Sequence, residues 1–272
     1  MRKLFIYLVI IPGLFFISCD KKESLSEVVQ RGLDISTRQS IYLAGELENQ
    51  MEILPRTYEN YELKTAGYKS WISGFFPGVL WYLYENDSLT EIRKYAELYT
   101  ARVEEAKTMT STHDLGFMLY CSFGNGYRLT SNPHYLEVLK TGAESLSTRF
   151  NEKVGVIKSW NSNGKWQYPV IIDNMMNLEM LSFVAKETNQ EHFMDIANTH
   201  ARTTLFHHFR PDNSCYHVIS YDTITGKPHA KQTHQGYSDS SAWARGQAWA
   251  LYGYTMMYRE TGKPEYLEQA RN

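Results

Sequence analysis

After residue 24, hydrophobic positions recur at helical spacing along nearly the whole chain, and Gly, Pro, Asn and Asp fall at the breaks. Strand-like alternation is scarce; the stretch from Tyr168 to Ile172 begins like a strand before an apolar helix takes over. The pattern predicts helices near 25–50, 73–85, 88–107, 114–130, 134–150, 174–188, 191–208 and 241–261, and from 264 to the last residue. They are of two kinds. "SGFFPGVLWYLYE", "DLGFMLYCSFGNGYRL", "NMMNLEMLSFVAKE" and "SAWARGQAWALYGYTMMYRE" are apolar or aromatic nearly all round, as a helix enclosed by others must be. "SLTEIRKYAELYTARVEEAK" and "PHYLEVLKTGAESLSTRF" are amphipathic and leave one side to water.

The two kinds alternate, and short connectors such as "LTSNPHY", "ETNQEHF" and "ETGKPEY" join each apolar helix to the next amphipathic one. A solenoid of such hairpins would keep its period. Here the links back into the apolar helices lengthen from a few residues to the stretch Arg210 to Ser240. The expected fold class is therefore all-α: a ring of helical hairpins, apolar helices inside and amphipathic helices outside, with the variable loops gathered on one rim. Residues 25–272 form this domain, with about four and a half hairpins up to "EYLEQARN". That segment opens an amphipathic helix without an apolar successor, so a ring of six would lack its C-terminal hairpins, and a truncated chain is expected.

Composition narrows the function. With 43% hydrophobic residues in 272, a buried core is assured and disorder is excluded. A net charge of -2 with both signs interspersed offers no basic face for nucleic acid. The 20 Tyr, 12 Phe and 6 Trp include several in polar loops, where ring faces suit the apolar side of a sugar. Arg2 and Lys3 precede an apolar run over 4–17, too short for a comfortable membrane span, and "FISC" resembles the lipobox at which a bacterial leader is cut and the cysteine acylated. Residues 1–19 are thus expected to be a signal peptide with Cys19 as the lipidation site, and 20–24 a polar tether. Export to the periplasm or outer membrane follows, with membrane contact only through the lipid. Cys121 and Cys215 then form no framework of bridges and read as buried free thiols.

The starts of the inner helices carry the candidate chemistry. Asp114 in "STHDLGF" and Asp173 in "PVIIDNMMN" each place a carboxyl at a helix start, and a ring brings those starts to one opening. An aspartate there is also a good N-cap, worth about 1 kcal/mol, and singly each is read more readily that way. Their company favours chemistry: His113 adjoins Asp114, while Trp160, Trp166 and Tyr168 precede Asp173. The apolar Val170 to Ile172 run makes Asp173 the better proton donor, and Asp114 beside His113 reads as the ionised partner. Arg245 and Trp249 stand one helical turn apart, with Gln235 in the loop before them, a set suited to an anionic sugar. Arg245 serving core carbonyls is the plainer alternative. Asp239 is expected to cap the last inner helix, and His217 in "CYHVISYD" is either a rim donor or structural. No HExxH, paired CxxC, Walker or dinucleotide pattern is present, so neither a metal nor a nucleotide cofactor is expected.

In this order, "THDLGF", "PVIIDNMMNLEML" and "GYSDSSAWARGQAW" resemble the signatures of the unsaturated glucuronyl hydrolases, glycoside hydrolase family 88, and the similarity extends through "SGFFPGVLWYLYE" to nearly everything after the tether. The resemblance implies an (α/α)6 barrel without cofactors. It implies as substrates the oligosaccharides that polysaccharide lyases leave, ending in a uronic acid with a C4=C5 double bond, and hydration of that bond as the reaction. By the same resemblance Asp173 is the general acid and base and Asp114 the second essential aspartate. His217, Gln235, Arg245 and Trp249 bind substrate, with Trp71 at the pocket wall. The alternatives are an unsaturated rhamnogalacturonyl hydrolase acting on pectin fragments, a lipoprotein that captures glycans without turnover, and a helical interaction scaffold.

Overall fold

The computed structural model describes residues 23–272; the expected leader with Cys19 and the first part of the expected tether lie outside the described residues. Helix α1 (Leu25–Leu47) opens on a capping box, in which the Ser24 hydroxyl accepts the Glu27 N–H and the Glu27 carboxylate accepts the Ser24 N–H at 2.7 Å. A hairpin of β1 (Leu54–Glu59) and β2 (Glu62–Ala66) follows, turned through Asn60 and Tyr61, both at positive φ. Its side chains are largely exposed, so it carries no alternating apolar signal, which is why the sequence pattern passes over it.

Next come α2 (Phe75–Asp87), α3 (Thr90–Ala101), a 3-10 turn (Glu104–Thr108), a π-helix (Gly116–Gly124) running into α4 (Asn125–Thr130), and α5 (Pro133–Ser147). Short strands β3 (Phe150–Asn151), β4 (Val156–Ile157) and β5 (Pro169–Ile171) lead to α6 (Asn174–Thr188) and α7 (Glu191–His208). After β6 (Val218–Tyr221) and β7 (Pro228–Gln232) the chain finishes with α8 (Ala244–Thr261) and α9 (Pro264–Arg271). The expected helices are present with trimmed ends, and the one expected over 88–107 breaks at Ala101. The segment expected as one plain helix over 114–130 is instead a π-helix for nine residues. There the Ser122 hydroxyl bonds the Met118 carbonyl at 2.6 Å, competing with the ordinary helical ladder.

The architecture is the α/α barrel class. The inner row, α2, the π-helix with α4, α6 and α8, packs in sequence order, and each inner helix pairs with the outer helix that follows it. Outer α3 shows how: Ile92, Tyr95, Ala96 and Tyr99 form a buried stripe at helical spacing, each large side chain contributing about 1.5–3 kcal/mol. Buried aromatics then tie the layers through their polar ends. Trp81 Nε1 donates to Thr100 Oγ1 at 2.9 Å, Tyr99 Oη to the Ala44 carbonyl at 2.8 Å, and Tyr254 Oη to the Ala201 carbonyl at 2.9 Å.

One joint recurs four times. Ser88, Ser131, Asn189 and Gly262 end the inner helices in left-handed conformation, each donating its N–H back to the carbonyl four residues earlier, and in each case two residues connect inner helix to outer. The opposite rim receives the longer loops and the three-stranded antiparallel sheet β5–β6–β7. Both described cysteines are free; Cys215 is buried and Cys121 half-buried, and burial pushes each thiol up to about 12. No helix among the described residues is long and apolar enough to cross a membrane.

Candidate active site

Asp173 sits where β5 gives way to α6. The strand register pairs Ile171 with Val218, and the Ile172 N–H donates to the His217 carbonyl at 3.0 Å, so His217 is carried alongside Asp173. The His217 Nδ1 accepts two backbone N–H groups just beyond β7, from His234 at 3.0 Å and Gln235 at 3.2 Å. An imidazole nitrogen that accepts holds a lone pair, so the proton resides on Nε2, which lies 3.6 Å from Asp173 Oδ2. Both residues are buried. Asp173 holds the N-cap position of α6, yet its backbone is already right-handed helical and its side chain makes no capping bond. Its Oδ2 has no hydrogen-bond partner at all. The cap reading therefore fails for this carboxyl.

Asp114 lies two residues before the π-helix and is served differently. Thr112 Oγ1 donates to its Oδ2 at 2.8 Å, and His113 Nε2 lies 3.3 Å from its Oδ1, so one donor faces each oxygen. It caps no backbone N–H either. The Phe117 N–H in the first turn is taken by Asn177 Oδ1, reaching across from α6 at 3.0 Å. Asn177 stands one turn beyond Asp173 on the same helix, so the segments bearing the two aspartates are pinned to each other.

The pinning demands a glycine. A Cβ on Gly116 would stand 2.6 Å from Asn177 Cα and 2.7 Å from its Oδ1, against helix backbone that has nowhere to go. Gly116→Ala is therefore expected to lower stability by about 1–3 kcal/mol, read as a lower midpoint in urea. A midpoint equal to wild type would show that the two helices are not held this closely.

The remaining sequence-selected residues join the same neighbourhood. Arg245 Nη2 donates to Gln235 Oε1 at 2.8 Å, and its guanidinium lies over the Trp243 ring, 4.6 Å from the centroid. It serves no core carbonyl in this arrangement, and both Arg245 and Gln235 are exposed. The Trp243 ring in turn lies 4.4 Å from that of His217. Trp71 and Trp249 both pack on Phe117, at centroid distances of 5.6 and 5.4 Å, and Trp71 remains 39% exposed. Asp239 is a correction: Trp243 precedes α8, and Asp239 Oδ1 accepts the Thr233 N–H at 2.7 Å, bracing the loop instead of capping the helix.

Sequence reasoning missed Asn177, Trp243 and His234. Asn177 had a legible signal, a polar residue four positions after an aspartate on an otherwise apolar helix. Trp243 and His234 had none, since their role comes from ring contacts across separate loops: His234 meets Trp160 and Trp166 edge-on, and Trp243 lies tilted against His217. A cavity of about 610 Å³ lies farther along the inner helices among Tyr82, Tyr120, Glu179, Tyr252 and Arg259, and touches neither aspartate. The paired carboxyls with their histidines locate the chemistry better than cavity size does, because only they supply proton-transfer groups.

Residues 47–271 match the sequence model of Glycosyl Hydrolase Family 88. The chain belongs to glycosyl hydrolase family 88. Similar family 88 proteins include an unsaturated glucuronyl hydrolase of Formosa agariphila, 42% identical over 99% of this chain and 70% of the relative. Another is an unsaturated chondroitin disaccharide hydrolase of Streptococcus pyogenes, 32% identical over 91% of this chain and 63% of the relative. The crystal structure of an unsaturated glucuronyl hydrolase specific for heparin matches with a TM-score of 0.83 at 45% identity, over 89% of this chain and 66% of that one. The chain thus spans about two thirds of the length of these relatives.

Proposed function

We propose that the protein removes a 4,5-unsaturated uronic acid from the non-reducing end of lyase-generated oligosaccharides by adding water across the C4=C5 vinyl ether. Asp173 is the proton donor to C4, and the resulting carboxylate takes the proton of the water that attacks C5. The C5 hemiketal opens to a ketone, breaking its bond to the ring oxygen, and the hemiacetal left at C1 expels the remaining saccharide as an alcohol. Asp114, with a donor on each oxygen, holds the ring hydroxyls and supports these transfers. His217 steadies the Asp173 carboxyl, Gln235 and Arg245 meet the uronate carboxylate and hydroxyls, and Trp249 and Trp71 flank the ring. The observation that carries this reading is the Asp173 Oδ2, buried, free of any hydrogen bond and 3.6 Å from the His217 Nε2.

The names of the relatives, glucuronyl, chondroitin and heparin, support a glycosaminoglycan fragment as the substrate class. The leader ending at Cys19 supports export as a lipidated protein. The test is incubation with unsaturated chondroitin and heparin disaccharides while the absorbance of the conjugated acid is followed. Decay of that absorbance is the expected result. Saturable binding with constant absorbance would favour a glycan-capturing protein and overturn the reading.

A further inference from the structure

Asn177 is fully buried in the first turn of α6, where an asparagine is a poor helix former and an unsatisfied amide costs several kcal/mol by the measure of apolar transfer, on the order of 2–7. Its orientation follows from donors and acceptors alone. The Phe117 backbone N–H only donates, so the amide atom that meets it at 3.0 Å is the oxygen. The NH2 is then turned to His113 Nδ1, 3.5 Å away. An NH2 only donates, so that nitrogen carries the lone pair and the His113 proton sits on Nε2, the atom 3.3 Å from Asp114 Oδ1. The direction of every bond from the π-helix backbone to the Asp114 carboxyl is therefore set by one side chain on the helix that begins at Asp173.

We propose that Asn177 is a positioning residue for Asp114, fixing the Nε2–H tautomer of His113 so that a donor, never a lone pair, faces the carboxyl. The proposal rests on the reading of Asp114 and Asp173 as the working pair. It parallels the other half of the site, where the His234 and Gln235 N–H groups hold His217 in the same tautomer against Asp173. The other charged or titratable groups bearing on the cluster are Arg149, whose guanidinium acts electrostatically on Asp114, and His200, which burial keeps neutral.

Two measurements test it. Nitrogen-15 NMR of the wild-type chain, with His113 assigned by comparison with His113→Gln, is expected to show a neutral imidazole protonated at Nε2; an Nδ1–H tautomer overturns the proposal whatever the activity. The second is Asn177→Asp, which keeps an acceptor for the Phe117 N–H but turns an oxygen toward Nδ1 and draws a proton there. Its kcat is expected to fall at least about tenfold, as a wrong histidine tautomer costs elsewhere, with KM within about twofold and the acidic limb of the pH–rate profile displaced. A merely structural role would lower the melting temperature and leave the pH profile of the folded fraction in place, and that outcome also overturns the proposal. If the wild type turns over no unsaturated disaccharide, the functional reading fails while the tautomer measurement still decides this one.

Discussion

Asp173→Asn is expected to leave a folded protein whose turnover of an unsaturated disaccharide is lower by about a hundredfold or more. The substitution is nearly isosteric, and no capping bond is lost because Asp173 makes none. An amide has no acidic proton to deliver to C4 and no basicity to relieve the attacking water. The amide can turn its oxygen toward the His217 Nε2–H, 3.6 Å from an Asp173 Oδ2 that makes no hydrogen bond, so no existing bond is lost and the change in stability is small beside the change in rate. Paired melting curves and absorbance assays separate the two effects. Wild-type turnover in a variant with an unchanged melt would remove Asp173 from the chemistry.

Acid is expected to destabilise the protein steeply below about pH 6.5, because two histidines are buried neutral on one face of α7. His200 accepts the Ile157 N–H on Nδ1 and has nothing on Nε2; His208 meets the Val170 carbonyl with Nε2 and has nothing on Nδ1. Burial pushes His208 down to about 3 and His200 well below its ordinary 6.5. In the unfolded chain both take up a proton near 6.5. Their contribution is whole above that value. It is lost as pH falls toward about 3, since over that window the unfolded state binds the extra protons, at up to about 1.4 kcal/mol per pH unit for each histidine. Glu104 and Glu260, which burial pushes up but Lys107 with His134, and Lys186 with Arg259, hold below the usual carboxylate range, add to the loss at the acid end. Urea midpoints at pH 7, 6 and 5 measure the slope. Equal midpoints at pH 7 and 5 would mean that these imidazoles are hydrated or already paired in the native protein.

The sequence made the barrel and its rim legible because the determining signals are local. Apolar inner helices and amphipathic outer ones declare themselves by composition and period, and the short connectors "NDSLT", "TSNPH", "ETNQE" and "ETGKP" mark each turn. The two aspartates, Arg245 and Trp249 were found the same way, from positions relative to helix starts. What stayed hidden depends on partners far along the chain. The exposed hairpin at 54–66 has no buried face to impose alternation. The close approach of Gly116 to Asn177, sixty-one positions apart by number, leaves no periodic mark in the sequence. The cap expected from Asp239 is absent because the Thr233 N–H claims its carboxylate. Whether a carboxyl caps a helix or stands free for a proton is settled by who else bonds to it.

The recurring two-residue joint has a consequence for how such a protein changes over time. Each hairpin turns at one face of the molecule through a tight, nearly invariant corner, leaving every polypeptide stretch that differs in length on the other. Insertions and replacements there alter what the mouth admits without moving the axis of any helix. Substrate preference and mechanical integrity are thus written in different segments, so new specificities can be acquired while the frame that holds the acid stays the same.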